Sequence, residues 1–257
     1  MRLTGFQDRV ALVTGAAGGI GQALVASLRE AGARVLATDT GAALDALAPH
    51  EGADLLWRAL DVRDATAVER CVAEAQASLG PVSLGVHAAG IVSTLPVLDT
   101  PAEEWQRVID TNAGGTFHVT RALGAAMAAR KQGAIVVVSS NAAGIPRLNM
   151  AAYAASKAAA TMFTRCLGLE LAQHGIRCNI LAPGSTLTPM QTGMWADDKG
   201  AARVIAGDPA SFRTGIPLGK LATAGDIASA AMFLLSDQAG HITMSDLYVD
   251  GGATLRG

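Results

Sequence analysis

A cluster of glycines between an apolar run and a helical stretch constrains this chain more than any other feature. Thr14-Gly15-Ala16-Ala17-Gly18-Gly19-Ile20-Gly21 follows a β-branched segment at 9–14 and opens an amphipathic stretch at 19–32. Glycine is needed where a turn is tight, where backbone must approach a pyrophosphate, and where a helix packs closely on a strand. The helix start adds free N–H groups and the positive end of its dipole. A strand, a glycine turn and a helix at the first junction together predict a dinucleotide cradle, with Gly15, Gly19, Ile20 and Gly21 against the phosphates.

The rest of the sequence repeats the alternation. Short β-branched runs at 34–39, 55–61, 83–88, 134–139, 177–182 and 247–250 are separated by longer helical patterns. These runs are apolar on both faces, as strands are when helices cover both sides of a parallel sheet. The expected fold is α/β: one Rossmann-type, doubly wound parallel sheet of about seven strands in a single NAD-binding catalytic domain, 1–257. Helix starts are marked by Thr100-Pro101-Ala102-Glu103 and Thr223-Ala224-Gly225-Asp226, and long apolar helices are expected over 105–129 and 151–173. The stretch 183–220, rich in Gly, Pro and Thr, is irregular, and 185–220 is expected to be a substrate lid.

Composition narrows the partners. Half of the residues are hydrophobic, 16% are charged, and the net charge is −2. There is no basic excess to attract nucleic acid or an anionic membrane. Cys71, Cys166 and Cys178 lack metal-ligand spacing and are expected to be reduced packing residues, with no metal bound. No apolar run reaches membrane-spanning length and the start carries no leader pattern, so a cytoplasmic location is expected.

Asp39 ends the second strand, where a carboxylate accepts from a ribose hydroxyl and repels a 2′-phosphate. No Arg or Lys lies in the glycine turn or directly after Asp39, which favours NAD over NADP. Asp61-Val62 and Ala89-Gly90 end the third and fourth strands, on the sheet edge where ligands bind. Tyr153 and Lys157 stand four apart in a helical run and share a face, with Ser140 at the end of the fifth strand. An ammonium near a phenol is expected to lower the phenol's pKa, making Tyr153 a general base toward an alcohol while Ser140 holds the same oxygen.

The motif at 14–21, Asn112, Ser140, Tyr153-x-x-x-Lys157 and Pro183-Gly184 resemble, in order and spacing, the short-chain dehydrogenase/reductase family. The resemblance covers nearly the whole chain. It implies that Asn112 supports Lys157 through a water, that Lys157 also binds the nicotinamide ribose, and that Thr186 and Thr188 hold the carboxamide beside Pro183 and Gly184. It also implies a homotetramer, with the two long helices as interface faces. One departure is His87, where the family often has Asn; a structural role is expected for it.

Further segments, 146–153, 183–191, 215–220 and 241–252, resemble the branch of the family that oxidises cyclic dihydrodiol acids. This implies 2,3-dihydro-2,3-dihydroxybenzoate as substrate and 2,3-dihydroxybenzoate, the catechol acid of siderophores, as product. Such a substrate calls for a cation or amide donors. Arg147, Arg213 and Gln191 are the candidates, and Met150, Met190, Met194 and Trp195 could form an apolar wall. The alternatives are a 2,3-dihydro-3-hydroxyanthranilate dehydrogenase, a 3-oxoacyl-thioester reductase and a non-catalytic dinucleotide sensor. The thioester reductase would want basic residues near the glycine turn, and the sensor would usually lack the tyrosine or lysine.

Overall fold

In a computed structural model, which describes residues 2–255, the seven expected strands form one parallel sheet. They are β1 (Val10–Thr14), β2 (Arg34–Asp39), β3 (Leu55–Ala59), β4 (Val82–His87), β5 (Gly133–Val138), β6 (Ile176–Pro183) and β7 (Asp246–Val249). The ends of the expected 1–257 unit, Met1, Arg256 and Gly257, lie outside the described residues. The helices are α1 (Gly19–Glu30), α2 (Gly41–Leu47), α3 (Ala65–Ser78), α4 (Ala102–Ile109), α5 (Gly115–Ala128), α6 (Ala151–Ala172), α7 (Pro189–Thr192), α8 (Gly200–Ala206) and α9 (Ala224–Leu235).

The strand order is β3-β2-β1-β4-β5-β6-β7. Every residue of β1, β4 and β5 is buried, because each sheet face has its own core. On one face Val13, Val35, Val86 and Val136 meet Leu24 and Leu28 of α1 and Ile227 and Leu235 of α9. On the other, Leu12, Leu36, Ile135 and Val137 meet Val68 and Val72 of α3 and Val119 and Leu123 of α5. The order reverses between β1 and β4, so their carboxyl ends open a crevice, the place where ligands bind in sheets of this kind.

Three local expectations are corrected. Thr100 does not cap α4; its hydroxyl donates to the Pro96 carbonyl at 2.8 Å, and Pro101 takes the cap position without a side-chain bond. The helix expected over 105–129 is interrupted by a π turn, Asp110–Gly114. The inserted residue breaks the regular ladder, and the Thr116 hydroxyl donates to the Asn112 carbonyl at 2.6 Å. Cys71 and Cys178 are buried as expected, whereas Cys166 is exposed on α6 and does not pack in the core. The second helix start holds: Thr223 and Asp226 cap α9 reciprocally. The stretch 183–220 is more ordered than its composition suggests, for it contains α7, α8 and a short 3-10 turn, Pro209–Ser211.

Candidate active site

The crevice begins at the glycine turn. Gly15 has φ +69, and a Cβ there would lie 2.5 Å from the Ala89 amide nitrogen. The turn therefore presses directly on the end of β4, and only glycine satisfies both demands. Gly21 packs on the Gly15 carbonyl at the start of α1, and Gly19 faces Thr188 across the opening. Asp39 supports the same turn: one carboxylate oxygen accepts from Ala17 N at 3.0 Å, the other from Thr40 N at 2.8 Å. These features fit a dinucleotide, since backbone approaches closely at the phosphates and a carboxylate stands where a ribose hydroxyl would donate.

The neighbouring positions divide. Asp61 lies at the rim, its carboxylate taken by Arg63 at 2.6 Å, which holds the carboxyl below its usual range. Val62 is buried against Gly115, with its carbonyl 3.0 Å from His118 Nδ1, so its side chain belongs to the core. Ala89 and Gly90 continue β4 into the crevice. A Cβ on Gly90 would come within 3.1 Å of both Asn112 Oδ1 and Lys157 Nζ. Thr186 is buried and donates to the Gly184 carbonyl at 3.2 Å, and Thr188 caps α7 through the Gln191 amide at 3.4 Å.

Tyr153, Lys157, Ser140 and Asn112 come together from three elements. Tyr153 and Lys157 project from α6, and the Lys157 ammonium sits 5.9 Å from the Tyr153 ring centre. Lys157 is 6% exposed and donates to the Val138 carbonyl at 2.9 Å. Burial lowers its pKa to about 8. Ser140 follows β5, hydrogen-bonds Tyr153, and accepts from Ala142 N at 3.1 Å. Asn112 sits in the π turn and bonds both backbone groups of Ile91 and the hydroxyl of Ser156.

The expected lowering of the Tyr153 pKa is not what the chain alone produces. Burial raises the phenol above its ordinary value, and the Ser140 hydrogen bond opposes this as the smaller effect. Lys157 lies over the ring and donates to the Val138 carbonyl at 2.9 Å rather than to the phenol hydroxyl.

His87 is fully buried, and its Nδ1 lies 2.8 Å from the Thr14 hydroxyl. Burial, with Lys157 as a smaller cause, lowers its pKa to about 3, so it is neutral. It ties β4 to the first residue of the glycine motif.

The carboxylate-binding candidates form a partial cluster. The Met150 amide donates to the Arg147 carbonyl at 3.3 Å, and Arg213 Nη2 lies 3.8 Å from the Met150 sulfur. Burial and then the nearby Arg213 charge lower the Arg147 pKa, while Asp250 acts the other way. Among the described residues neither arginine makes an ion pair. Among the described residues the Gln191 side chain makes no hydrogen bond that joins it to them; its backbone amide bonds Thr188. The expected apolar wall is also incomplete: Met190 and Met194 are exposed, and Trp195 packs on Gly200 within the 183–220 segment.

Sequence reasoning passed over Asp250 and Asn141. Asn141 Nδ2 donates to Asp250 at 3.3 Å, and Asp250 packs against Gly184 beside the fifth and sixth strands. The signal was the Asp-Gly-Gly at 250–252, which reads as a turn.

The geometry agrees with what the chain resembles. A family model described as enoyl-(acyl carrier protein) reductase matches residues 15–254. A 2,3-dihydro-2,3-dihydroxybenzoate dehydrogenase of Bacillus subtilis is 46% identical over 99% of both chains. A vibriobactin-specific enzyme of that name from Vibrio cholerae is 43% identical over 95% of both. The solved structure of gox2181 superimposes with a TM-score of 0.85 at 33% identity, covering 97% of each chain. With the glycine turn, the tyrosine–lysine pair and the sheet order all in place, the chain belongs to the short-chain dehydrogenase/reductase family.

Proposed function

We propose that this protein oxidises 2,3-dihydro-2,3-dihydroxybenzoate to 2,3-dihydroxybenzoate with NAD, in the making of a catecholate siderophore. The observation that carries the substrate is the pair of arginines: Arg213 reaches the Met150 sulfur, its charge acts on Arg147, and neither has an ion-pair partner among the described residues. Arg147 lies just before the helical turn that bears Tyr153, and Arg213 reaches the same place from the 183–220 segment. Two guanidinium groups left unpaired there suit a carboxylate, which each can bind through two donors.

Gly15, Gly19, Ile20 and Gly21 would hold the diphosphate, Asp39 the adenosine ribose, and Asp61, Val62, Ala89 and Gly90 the adenine side of the crevice. Tyr153, Lys157, Pro183, Gly184, Thr186 and Thr188 would flank the nicotinamide end. Val62 and the glycines would serve through backbone. The dinucleotide, when bound, supplies the hydride acceptor and a positive charge besides that of Lys157.

Tyr153 takes the proton of the C3 hydroxyl as hydride leaves the same carbon, and a ketone results. Ser140 holds that oxygen. Burial raises the phenol's pKa, so a positive charge close to its hydroxyl is what would make Tyr153 a base near neutral pH. Asn112 and the Val138 carbonyl fix Lys157 and its surroundings. Proton transfer from C2 to oxygen then makes the ring aromatic, which draws the reaction forward.

The 185–220 segment is read as a lid that brings Arg213, and with it Gln191, over the ring. Exposed Phe117, Met162 and Leu169 on α5 and α6 support assembly as a homotetramer, and the absence of any helix long and apolar enough to cross a membrane among the described residues agrees with a cytoplasmic enzyme.

The test is NADH formation from the dihydrodiol acid, with NAD and NADP compared. Rapid turnover with NAD, abolished in Tyr153→Phe, is the expected result. No oxidation of this acid with either cofactor would overturn the substrate assignment.

A further inference from the structure

We infer that Arg147 and Arg213 select the substituent beside the substrate's carboxylate, admitting a hydroxyl and rejecting an ammonium group. The inference rests on the reading above, that the substrate is a cyclic dihydro carboxylic acid.

Arg213 is held by a pinched arm. Gly207 and Gly215 form its neck with φ +81 and +79, and a Cβ on Gly207 would lie 2.5 Å from Gly215 N. Asp208 and Arg213 exchange backbone hydrogen bonds of 3.0 and 2.9 Å, and Ile216 N donates to the Ile205 carbonyl at 2.9 Å. The arm therefore presents its guanidinium from a fixed base, against the Met150 sulfur and toward the segment that carries Arg147.

Neither nearby acid contacts the pair as an ion-pair partner, although the Asp250 charge acts on Arg147 and the Arg213 charge on Asp208. Asp250 is committed to Gly252 N at 2.9 Å, Thr254 N at 3.1 Å, the Thr254 hydroxyl at 2.8 Å and Asn141. Asp208 accepts from Ala210 N at 3.0 Å and forms no ion pair with Arg213. Deeper in the site Lys157 adds a further cation, beside the neutral Tyr153. With both acids held by their own hydrogen bonds, the substrate carboxylate is the anion free to take the guanidinium donors directly.

Covalent geometry does the rest. The carboxylate on C1 places the C2 substituent next to whichever guanidinium binds it. A guanidinium has only donors, so a C2 hydroxyl can accept from it. An aliphatic ammonium has no free lone pair and meets like charge. A guanidinium that offers only donors and no accepting atom discriminates against the second ligand as much as it favours the first.

The experiment compares kcat/KM for 2,3-dihydro-2,3-dihydroxybenzoate and 2,3-dihydro-3-hydroxyanthranilate, in native protein, Arg147→Gln and Arg213→Gln. Native protein at neutral pH is expected to prefer the hydroxy acid by at least about tenfold. The preference should narrow as pH rises past the amine's pKa, since Tyr153 and Lys157 titrate alike for both substrates and cancel in the ratio. Each variant should raise KM for both acids yet narrow their ratio by about fivefold or more. NADH fluorescence titration shows that the variants remain folded. The aromatic 3-hydroxyanthranilate, whose amine is neutral, should inhibit native protein within about threefold of 2,3-dihydroxybenzoate.

A ratio that neither pH nor either variant changes, or a native preference for the amino acid, overturns the inference while leaving the dehydrogenase reading in place. Failure to oxidise either acid removes both.

Discussion

Asn112 and Ile91 hold each other by both backbone groups of Ile91: its amide donates to Asn112 Oδ1 at 2.8 Å, and Asn112 Nδ2 donates to its carbonyl at 2.9 Å. The pair joins the π turn to the chain leaving β4, with Gly90 and the Lys157 ammonium alongside. Asn112 is 1% exposed, so removing its amide strands buried partners. Asn112→Ala is expected to lower stability by about 2 kcal/mol and kcat by more than about tenfold. Thermal unfolding and steady-state kinetics check this, and a variant of native kcat would show that the clamp does not organise the site.

Lys157 carries a cost in stability. Its folded pKa, about 8, lies below the ordinary 10.5, so between those values the unfolded chain binds the extra proton. Stability from this group therefore rises with pH through that window, and the penalty is fully present below about pH 8. Lys157→Met is expected to abolish turnover while raising stability at neutral pH by about 1–2 kcal/mol, after the lost bond to Val138 is counted. The variant's advantage should shrink as pH rises from about 8 and reverse above about 10.5, where only the lost bond to Val138 remains. A lower melting temperature for the variant at neutral pH would contradict this account.

The sequence carried the architecture well because strands buried on both faces must be apolar throughout, and 34–39 was bounded correctly to the residue. Ser140, Tyr153 and Lys157 were visible because chemistry restricts their types and a helix fixes their spacing. What was illegible arises from contacts between distant segments. The π turn at Asn112 has no compositional mark, and its hydrogen bonds to Ile91 span 21 positions. The direction of the Tyr153 pKa depends on a competition between burial and charge that spacing does not reveal. Thr100 reads as a cap by local pattern, yet its hydroxyl finds the Pro96 carbonyl instead. Met190 and Met194 illustrate the same limit, for an apolar residue in a loop has no periodicity to say which way it faces.

His87 makes the protein acid-sensitive. Its folded pKa of about 3 lies below the ordinary 6.5, so on acidification through that interval the unfolded chain takes up a proton that the folded chain refuses. The group's contribution falls by about 1.4 kcal/mol per pH unit within it. His87→Asn has no such titration and keeps an amide for the Thr14 hydroxyl, 2.8 Å away in native protein. Urea unfolding from pH about 6.5 down to about 4 should show a shallower loss of stability in the variant. Parallel losses in the two proteins would mean that His87 does not stay neutral in the fold.

Asp39 separates charge from hydrogen bonding in cofactor choice. Its two oxygens accept from Ala17 N and Thr40 N, so the carboxylate stands fixed at the end of β2, and a 2′-phosphate would be brought against it. Asp39→Asn retains one accepting oxygen but removes the charge. The ratio of kcat/KM for NADP over NAD is expected to rise by about ten- to a hundredfold, chiefly because NADP improves. Asp39→Ala loses the turn's acceptors as well, so its kcat/KM with NAD should fall further than in the asparagine variant. If Asp39→Asn leaves the ratio unchanged, the carboxylate's charge does not set the preference, and the support it gives the glycine turn becomes its whole role.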